Sequence, residues 1–418
     1  TAPQLSLSAG AGFGQWTFRN AGGNLYLSTT TVAGTATSTL SALYIDGSTG
    51  NVGIGTASTT VKLEVVGDIV SKGTYWVARS AASSETWQDV TYGNGLFVAV
   101  SASGKVMTSQ DGVTWTSRTV PEANPWNGVT YGNGLFVAVS GSGTNQVMTS
   151  SDGITWVARQ ESEASTWNDV TYGNGLFVAT ALNGTNLVMT SPDGITWTSR
   201  SAAEANIWGE VTYGNGYFVS VSGIGTNRVM RSADGITWSP IAAAEANSWS
   251  GVTYGNGLFV AISADGTNLV MTSPDVSSWT ARPAAEANQW TGVSYGNGLF
   301  VALSQNGTNR IMTSPDGIIW TSRSAPVTVA WTSVVYGNGT FVAVALSTAQ
   351  LMTSGKIEVS QSITNNILQG GGSMFGPFGI GTTTHLSTTT SGYNFGLTIF
   401  GARFSSTTNF SNAPQLAL

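Results

Sequence analysis

Residues 167–208 read WNDVTYGNGLFVATALNGTNLVMTSPDGITWTSRSAAEANIW, and the reading of this stretch decides the fold. Asn174-Gly175 lies between two runs of strand formers. That is a strong hairpin signal, because a type I′ turn wants positive φ at both central residues. The first strand is read as Val170-Thr171-Tyr172. The second, Leu176 to Thr180, is apolar at nearly every position, as a strand buried on both faces should be. Asn183-Gly184-Thr185-Asn186 turns the chain into a third strand, Leu187 to Ser191, and Pro192-Asp193-Gly194 turns it again. The fourth strand is Ile195 to Arg200, with Ile195 and Trp197 on one face and Thr196 and Thr198 on the other, the alternation of a half-wet outer strand.

The same sentence recurs along the chain. Tyr-Gly-Asn-Gly begins at Tyr92, Tyr131, Tyr172, Tyr213, Tyr254, Tyr295 and Tyr336, spaced by 39 and then by 41 five times. Four short antiparallel strands per unit, seven times over, predict an all-β seven-bladed β-propeller. Tryptophans of the fourth strand stand at 76, 115, 156, 197, 238, 279 and 320, and the first precedes the first Tyr-Gly-Asn-Gly. The last unit stops after Leu351-Met352-Thr353-Ser354, so the segment around Trp76 is expected to complete the seventh blade there. Such closure removes free sheet edges. The expected domains are a β-rich assembly segment at 1–72, the propeller at 73–356 and a second β-rich segment at 357–418. A ring of methionines (107, 148, 189, 230, 271, 312, 352) is expected to pack between blades.

Composition excludes several functions. Charged residues make up 9% of the 418, against roughly 25% in ordinary soluble domains. A net charge of −6 with four lysines offers no basic face for nucleic acid. With no Cys and one His, His385, there is no disulfide framework, thiolate nucleophile or multi-histidine metal site. No metal or cofactor is expected. The longest apolar runs, such as Leu135 to Val139, fall far short of the ~18 residues of a membrane span. The chain opens on Thr1 rather than an initiator Met, which reads as a mature form or a fragment, and a surface of Ser, Thr, Gly and Asn suggests an extracellular location.

Ser150 to Trp156 (SSDGITW) and Ser191 to Trp197 (SPDGITW) resemble the Asp-box of sialidase-type propeller repeats, as do Ser109 to Trp115, Ser232 to Trp238 and Ser314 to Trp320. The family motif has one more residue between Asp and Gly, and Ser273-Pro274-Asp275-Val276 lacks the Gly. The resemblance implies the propeller and an Asp that caps turn N–H groups. A sialidase-like site needs one cluster of arginines, yet Arg79, Arg118, Arg159, Arg200, Arg282 and Arg323 each follow a fourth-strand Trp by three residues, a repeated outer position. Glu122, Glu163, Glu204, Glu245 and Glu286 recur one per blade and are expected to meet that Arg or solvent. A glycoside hydrolase needs two carboxylates held at a set distance, so no enzymatic activity is expected.

A binding role is better supported. The loops joining strand four to one and strand two to three share one rim, which carries Asn145, Asn186, Asn227, Asn268 and Asn309. Trp126, Trp167, Trp208, Trp249 and Trp290, with Trp87 and Trp331, precede the inner strands beside it. Indole faces next to amides suit surface glycans, and repeated weak sites gain by avidity. The competing reading wedges these indoles between blades as core.

Residues 44–69, YIDGSTGNVGIGTASTTVKLEVVGDI, resemble a segment of phage tail fibres and long bacterial surface proteins. Gly379 to Thr382 repeats Gly53 to Thr56, and Leu386 to Thr390 repeats Leu27 to Thr31. Ala2-Pro3-Gln4-Leu5-Ser6-Leu7 also reappears as Ala413-Pro414-Gln415-Leu416-Ala417-Leu418. Near-copies of one strand at both ends suggest one period of a tandem chain, or strand addition between subunits, which does not close and propagates a filament. The expected protein is a non-enzymatic extracellular filament subunit, a head-to-tail homo-polymer displaying its propeller. A homotrimeric phage tail-fibre segment that binds a receptor is the alternative, and a sialidase-like hydrolase is a third reading.

Overall fold

The computed structural model describes residues 75–354 without a break. Outside them it describes strands at 4–7, 15–21, 24–30, 63–65, 69–70, 356–357, 395–399 and 402–406, the stretch 42–56, and Gly23. Every described element is a strand, and no helix among the described residues is long and apolar enough to cross a membrane. Two compact units result, one of Ser71–Gly355 and one of Thr1–Val70 with Lys356–Leu418.

The first unit is a propeller of seven four-stranded antiparallel sheets. In blade three the strands are Trp167–Gly173, Leu176–Ala181, Val188–Ser191 and Thr198–Arg200. All seven Asn-Gly turns take the expected left-handed path, Asn174 at φ 48° and Gly175 at φ 78°. The fourth strand is shorter than expected. Ile195 and Thr196 lie in the turn, where their N–H groups donate to Asp193 Oδ1 at 2.8 and 2.9 Å, so they do not alternate as strand residues. Trp197 sits just before the strand and donates its Nε1–H to Gly194 O at 3.1 Å.

Ring closure uses the Trp76 segment: Trp76–Glu85 pairs with Thr348–Ser354, placing Ser354 opposite Trp76 and Leu351 opposite Arg79. Blades are stitched at their inner ends as well. The register of each inner strand slips by one residue after its Trp. A bulge of this kind re-aims a side chain. Asn127 Nδ2 thus reaches Trp167 O at 2.9 Å, Thr291 Oγ1 reaches Trp331 O at 2.8 Å, and Thr332 Oγ1 closes the circle on Trp87 O at 2.9 Å. The seven methionines of the repeat are fully buried between sheets, as their spacing suggested.

The second unit holds a six-stranded sheet in chain order, with Gln4–Leu7 at one edge paired to Gln15–Ala21. Its register puts Phe18 opposite Leu27, Leu25 opposite Ile45, Leu43 opposite Ile54 and Ile45 opposite Val52. Because a strand's period is two, these apolar residues share one face.

Candidate functional site

The sevenfold repeat breaks at the ring axis. The third residue of the inner strands is Asp89, Gly128, Asp169, Glu210, Gly251, Gly292 and Ser333 in turn. Asp169 Oδ1 accepts from Val170 N and Oδ2 from Val211 N of the next blade, both at 2.8 Å. Asp89 does the same with Val90 and Val129, and Ser333 Oγ donates to it at 2.6 Å across the ring seam. Glu210 Oε2 accepts from Val252 N at 2.9 Å. Glycine stands beside the acids for lack of room: a Cβ on Gly128 would lie 2.8 Å from Asp169 Cα, and one on Gly251 2.8 Å from Glu210 Oε2.

Burial, and then the charge of Asp89, pushes Asp169 up to about 8. Burial also raises Asp89, and burial followed by the charges of Asp169 and Asp89 raises Glu210 well above the usual carboxylate range. Near neutrality Asp169 therefore keeps its proton, and the axis does not carry three full charges. Among the described residues no group of three acidic or histidine side chains is arranged to hold a metal ion. What the girdle does is tie blade one to two, three to four and four to five through backbone N–H groups.

At the rim the expected loops do meet, but their side chains bind each other. Asn186 donates N–H to Glu163 Oε1 at 2.7 Å and Nδ2–H to Oε2 at 2.9 Å. Asn145 clasps Glu122, Asn227 clasps Glu204, Asn268 clasps Glu245 and Asn309 clasps Glu286 in the same way. The glutamates thus meet these asparagines and not the preceding arginines. Each arginine instead donates Nε–H to a third-strand Thr, Arg200 to Thr190 at 3.1 Å for example. The tryptophans are not a ligand platform. Trp126, Trp167, Trp208 and Trp290 are 0% exposed and Trp249 2%, wedged into the core with Nε1–H on a loop carbonyl four residues back. Their large apolar area drives that burial. Of the terminal residues singled out for assembly, Gln4, Leu5 and Leu7 lie in the edge strand, whereas Ala2, Pro3, Ala413, Pro414, Gln415, Leu416 and Leu418 lie outside the described residues.

A second break lies between blades four and five. In the five other blades that carry it the Asp turn ends in Gly, and a Cβ on Gly235 would lie 2.8 Å from Leu176 Cδ2 of the preceding blade. Blade five has Val276 there, fully buried at φ 55°, facing a blade whose Leu is replaced by Tyr217. The tyrosine ring vacates the leucine's space and the valine fills it. The exchange costs Trp279 its Nε1 hydrogen bond. Tyr217→Leu is expected to overpack Val276 and destabilise by about 1–3 kcal/mol. Adding Val276→Gly should recover that loss, so a double-mutant cycle of thermal melts should show coupling of roughly 1 kcal/mol or more.

The fold defines a β-propeller, a class that hosts catalysts and binding modules alike. No family model matches the chain, and no curated protein does. Among solved structures, virginiamycin B lyase from Staphylococcus aureus is similar at TM-score 0.60 and 12% identity, over 67% of this chain and 98% of that one. YCF48 bound to D1 peptide is similar at TM-score 0.54 and 14% identity, over 66% and 96%. YCF48 from Cyanidioschyzon merolae is similar at TM-score 0.52 and 13% identity, over 66% and 98%. Identities this low establish the propeller alone.

Proposed function

We propose that this chain is an extracellular structural protein, a subunit of a surface filament joined through its β-rich unit and displaying a non-enzymatic propeller that meets surface glycans weakly. The observation that carries the reading is the six-stranded sheet. Phe18, Leu25, Leu27, Leu43, Ile45, Val52 and Ile54 share one face by register, and none of them is buried, with Ile54 44% exposed. A sheet with an apolar face is stable only when another layer covers it, and a neighbouring copy supplies that layer. The repeated strand at residues 2–7 and 413–418 and the resemblance of 44–69 to fibre segments support the same reading.

The non-enzyme reading draws support from the propeller's own residues. A catalytically inactive virginiamycin B lyase is a histidine-to-alanine variant, whereas residues 75–354 here contain no histidine. The five repeated rim glutamates are each clasped by an asparagine. Electron microscopy of the purified chain tests the assembly: long unbranched polymers are expected, and Phe18→Glu/Leu25→Glu should reduce them to single particles. Discrete trimers would favour the receptor-binding tail-fibre alternative, and monomers at every concentration would overturn both. Turnover of a fluorogenic sialoside would overturn the non-enzyme reading.

A further inference from the structure

Blade four departs from its sisters on the outer strands. In the other six blades a fourth-strand Arg donates Nε–H to a third-strand Thr, from Arg118 on Thr108 at 2.8 Å to Arg323 on Thr313 at 3.2 Å. Blade four has Ile241 in place of the Arg and Arg231 in place of the Thr. The guanidinium lies 5.3 Å from the centroid of the Tyr217 ring and makes one long hydrogen bond, Nη1 to Asp275 O at 3.4 Å. Beside it opens a surface cavity of about 270 Å³ lined by Tyr217, Arg231, Ser232, Asp234, Thr237 and Ser239. Asp234 spends Oδ1 on Ile236 N, Thr237 N and Ser232 Oγ, and Oδ2 takes part in none of these three bonds. Arg231 and Asp234 thus border one cavity without forming an ion pair.

We infer that this cavity is a binding site for a carboxylated monosaccharide unit. The guanidinium fork matches a carboxylate, two N–H donors to two oxygens. Its stack on Tyr217 fixes the fork in advance, which lowers the ordering cost of binding. Asp234 Oδ2 accepts only, so it selects a ligand that also carries hydroxyl donors, and the Thr237 and Ser239 hydroxyls can take either role. A neutral sugar brings the guanidinium no charge of its own, and the Asp275 carboxylate that faces Arg231 is engaged by Ser277 of its own turn. Inorganic phosphate brings a second negative charge against Asp234. The cavity is at the small end of ligand pockets, sized for one sugar residue. The inference rests on the reading of the propeller as a displayed glycan-binding body and names the ligand class of that body.

The test uses the full chain and the variant Arg231→Thr/Ile241→Arg, which rebuilds the clasp found in the other blades and is therefore chosen to fold. Thermal melts verify that it does. Glucuronic acid, its methyl glycoside, glucose and inorganic phosphate are titrated by saturation-transfer NMR. The uronic acid and its glycoside are expected to bind in the millimolar range, with glucose and phosphate about tenfold weaker, and the variant should lose about tenfold in uronate affinity. Equal binding of glucose, unchanged uronate binding in the folded variant, or no uronate signal from the parent chain would each overturn the inference. Micrographs of the same samples keep the two readings apart. Polymers that ignore uronates sink only the cavity assignment, and single particles that bind them sink only the assembly.

Discussion

Gly173→Ala is expected to cost the propeller at least about 4 kcal/mol, lowering its melting temperature by roughly 10 °C or more or abolishing soluble expression. A Cβ on Gly173 would lie 2.0 Å from Tyr213 Cγ, 2.4 Å from its Cδ1 and 2.6 Å from its Cβ. Because the tyrosine's own Cβ is in the way, rotating its ring does not relieve the clash. Its ring also packs 4.7 Å from Phe218, centroid to centroid, so the blades must separate. The comparison that isolates this cause is Gly175→Ala, two residues on. Gly175 has φ 78° and open space around its Cβ position. Alanine there strains only the turn, at about 1 kcal/mol. Residue 173 should therefore be the worse site although its backbone suits any residue. Equal losses at the two positions would show that blade contact does not set the requirement for glycine.

The same contact explains how the ring knows its number. Each Tyr-Gly glycine lies under the tyrosine of the next blade, and the series closes with Gly337 under Tyr92, where a Cβ would fall 2.2 Å from the ring. The spacing of Tyr-Gly-Asn-Gly already implied that ring in the sequence, and the unpartnered last unit implied its closure by the Trp76 strand. Both depend on local turn chemistry and on counting, which a single chain displays openly. The tryptophans were less legible, because Trp-Asn-Asp-Val reads alike whether the indole stands at a rim or wedges into the core. What decides is a one-residue slip between Trp167 and Asp169 that no periodicity reveals.

The axial acids and the blade-four cavity escaped for the opposite reason. Reading a repeat by its consensus discards the positions that differ, and these sites consist of such positions. Asp89, Asp169 and Glu210 stand where three other blades have glycine. Tyr217, Arg231 and Ile241 stand where most blades have Leu, Thr and Arg, and Val276 stands where most have Gly. Compensation is visible once the fold is known: the Thr–Arg clasp disappears on both sides together, and Val276 accompanies the lost leucine. A subtraction of the consensus from each blade would have flagged every one of these residues, though the stitching of Asp169 to Val211 needs the neighbouring blade in place.

The axial girdle should also set how stability responds to pH, through changes of several kcal/mol between about pH 5 and pH 8. An unfolded aspartate titrates near 3.9, whereas Asp169 in the ring is pushed up to about 8. Between those values the native state holds a proton that the unfolded chain has released. Stability is then full below the unfolded value, falls as pH rises, and levels off above about 8, with a slope of at most about 1.4 kcal/mol per pH unit for one group. Asp89 and Glu210, both raised, act in the same direction. The turn aspartates act oppositely: hydrogen bonds from Thr155 and Ile154 N–H hold Asp152 down to about 2, and Asp193 and Asp234 are lowered likewise. Their contribution is lost only in acid, as pH falls below the unfolded value, so the stability maximum should lie near pH 5. Calorimetry from pH 3 to 9 measures this profile. Asp169→Gly, the residue that blades two, five and six carry at this position, leaves the Val211 N–H without its acceptor and should melt lower than the parent at pH 5. The two curves should converge toward pH 8, because the variant has no proton to lose on the way. Curves that stay parallel would show that the axial carboxyl is ionised throughout and that its hydrogen bonds outweigh its burial.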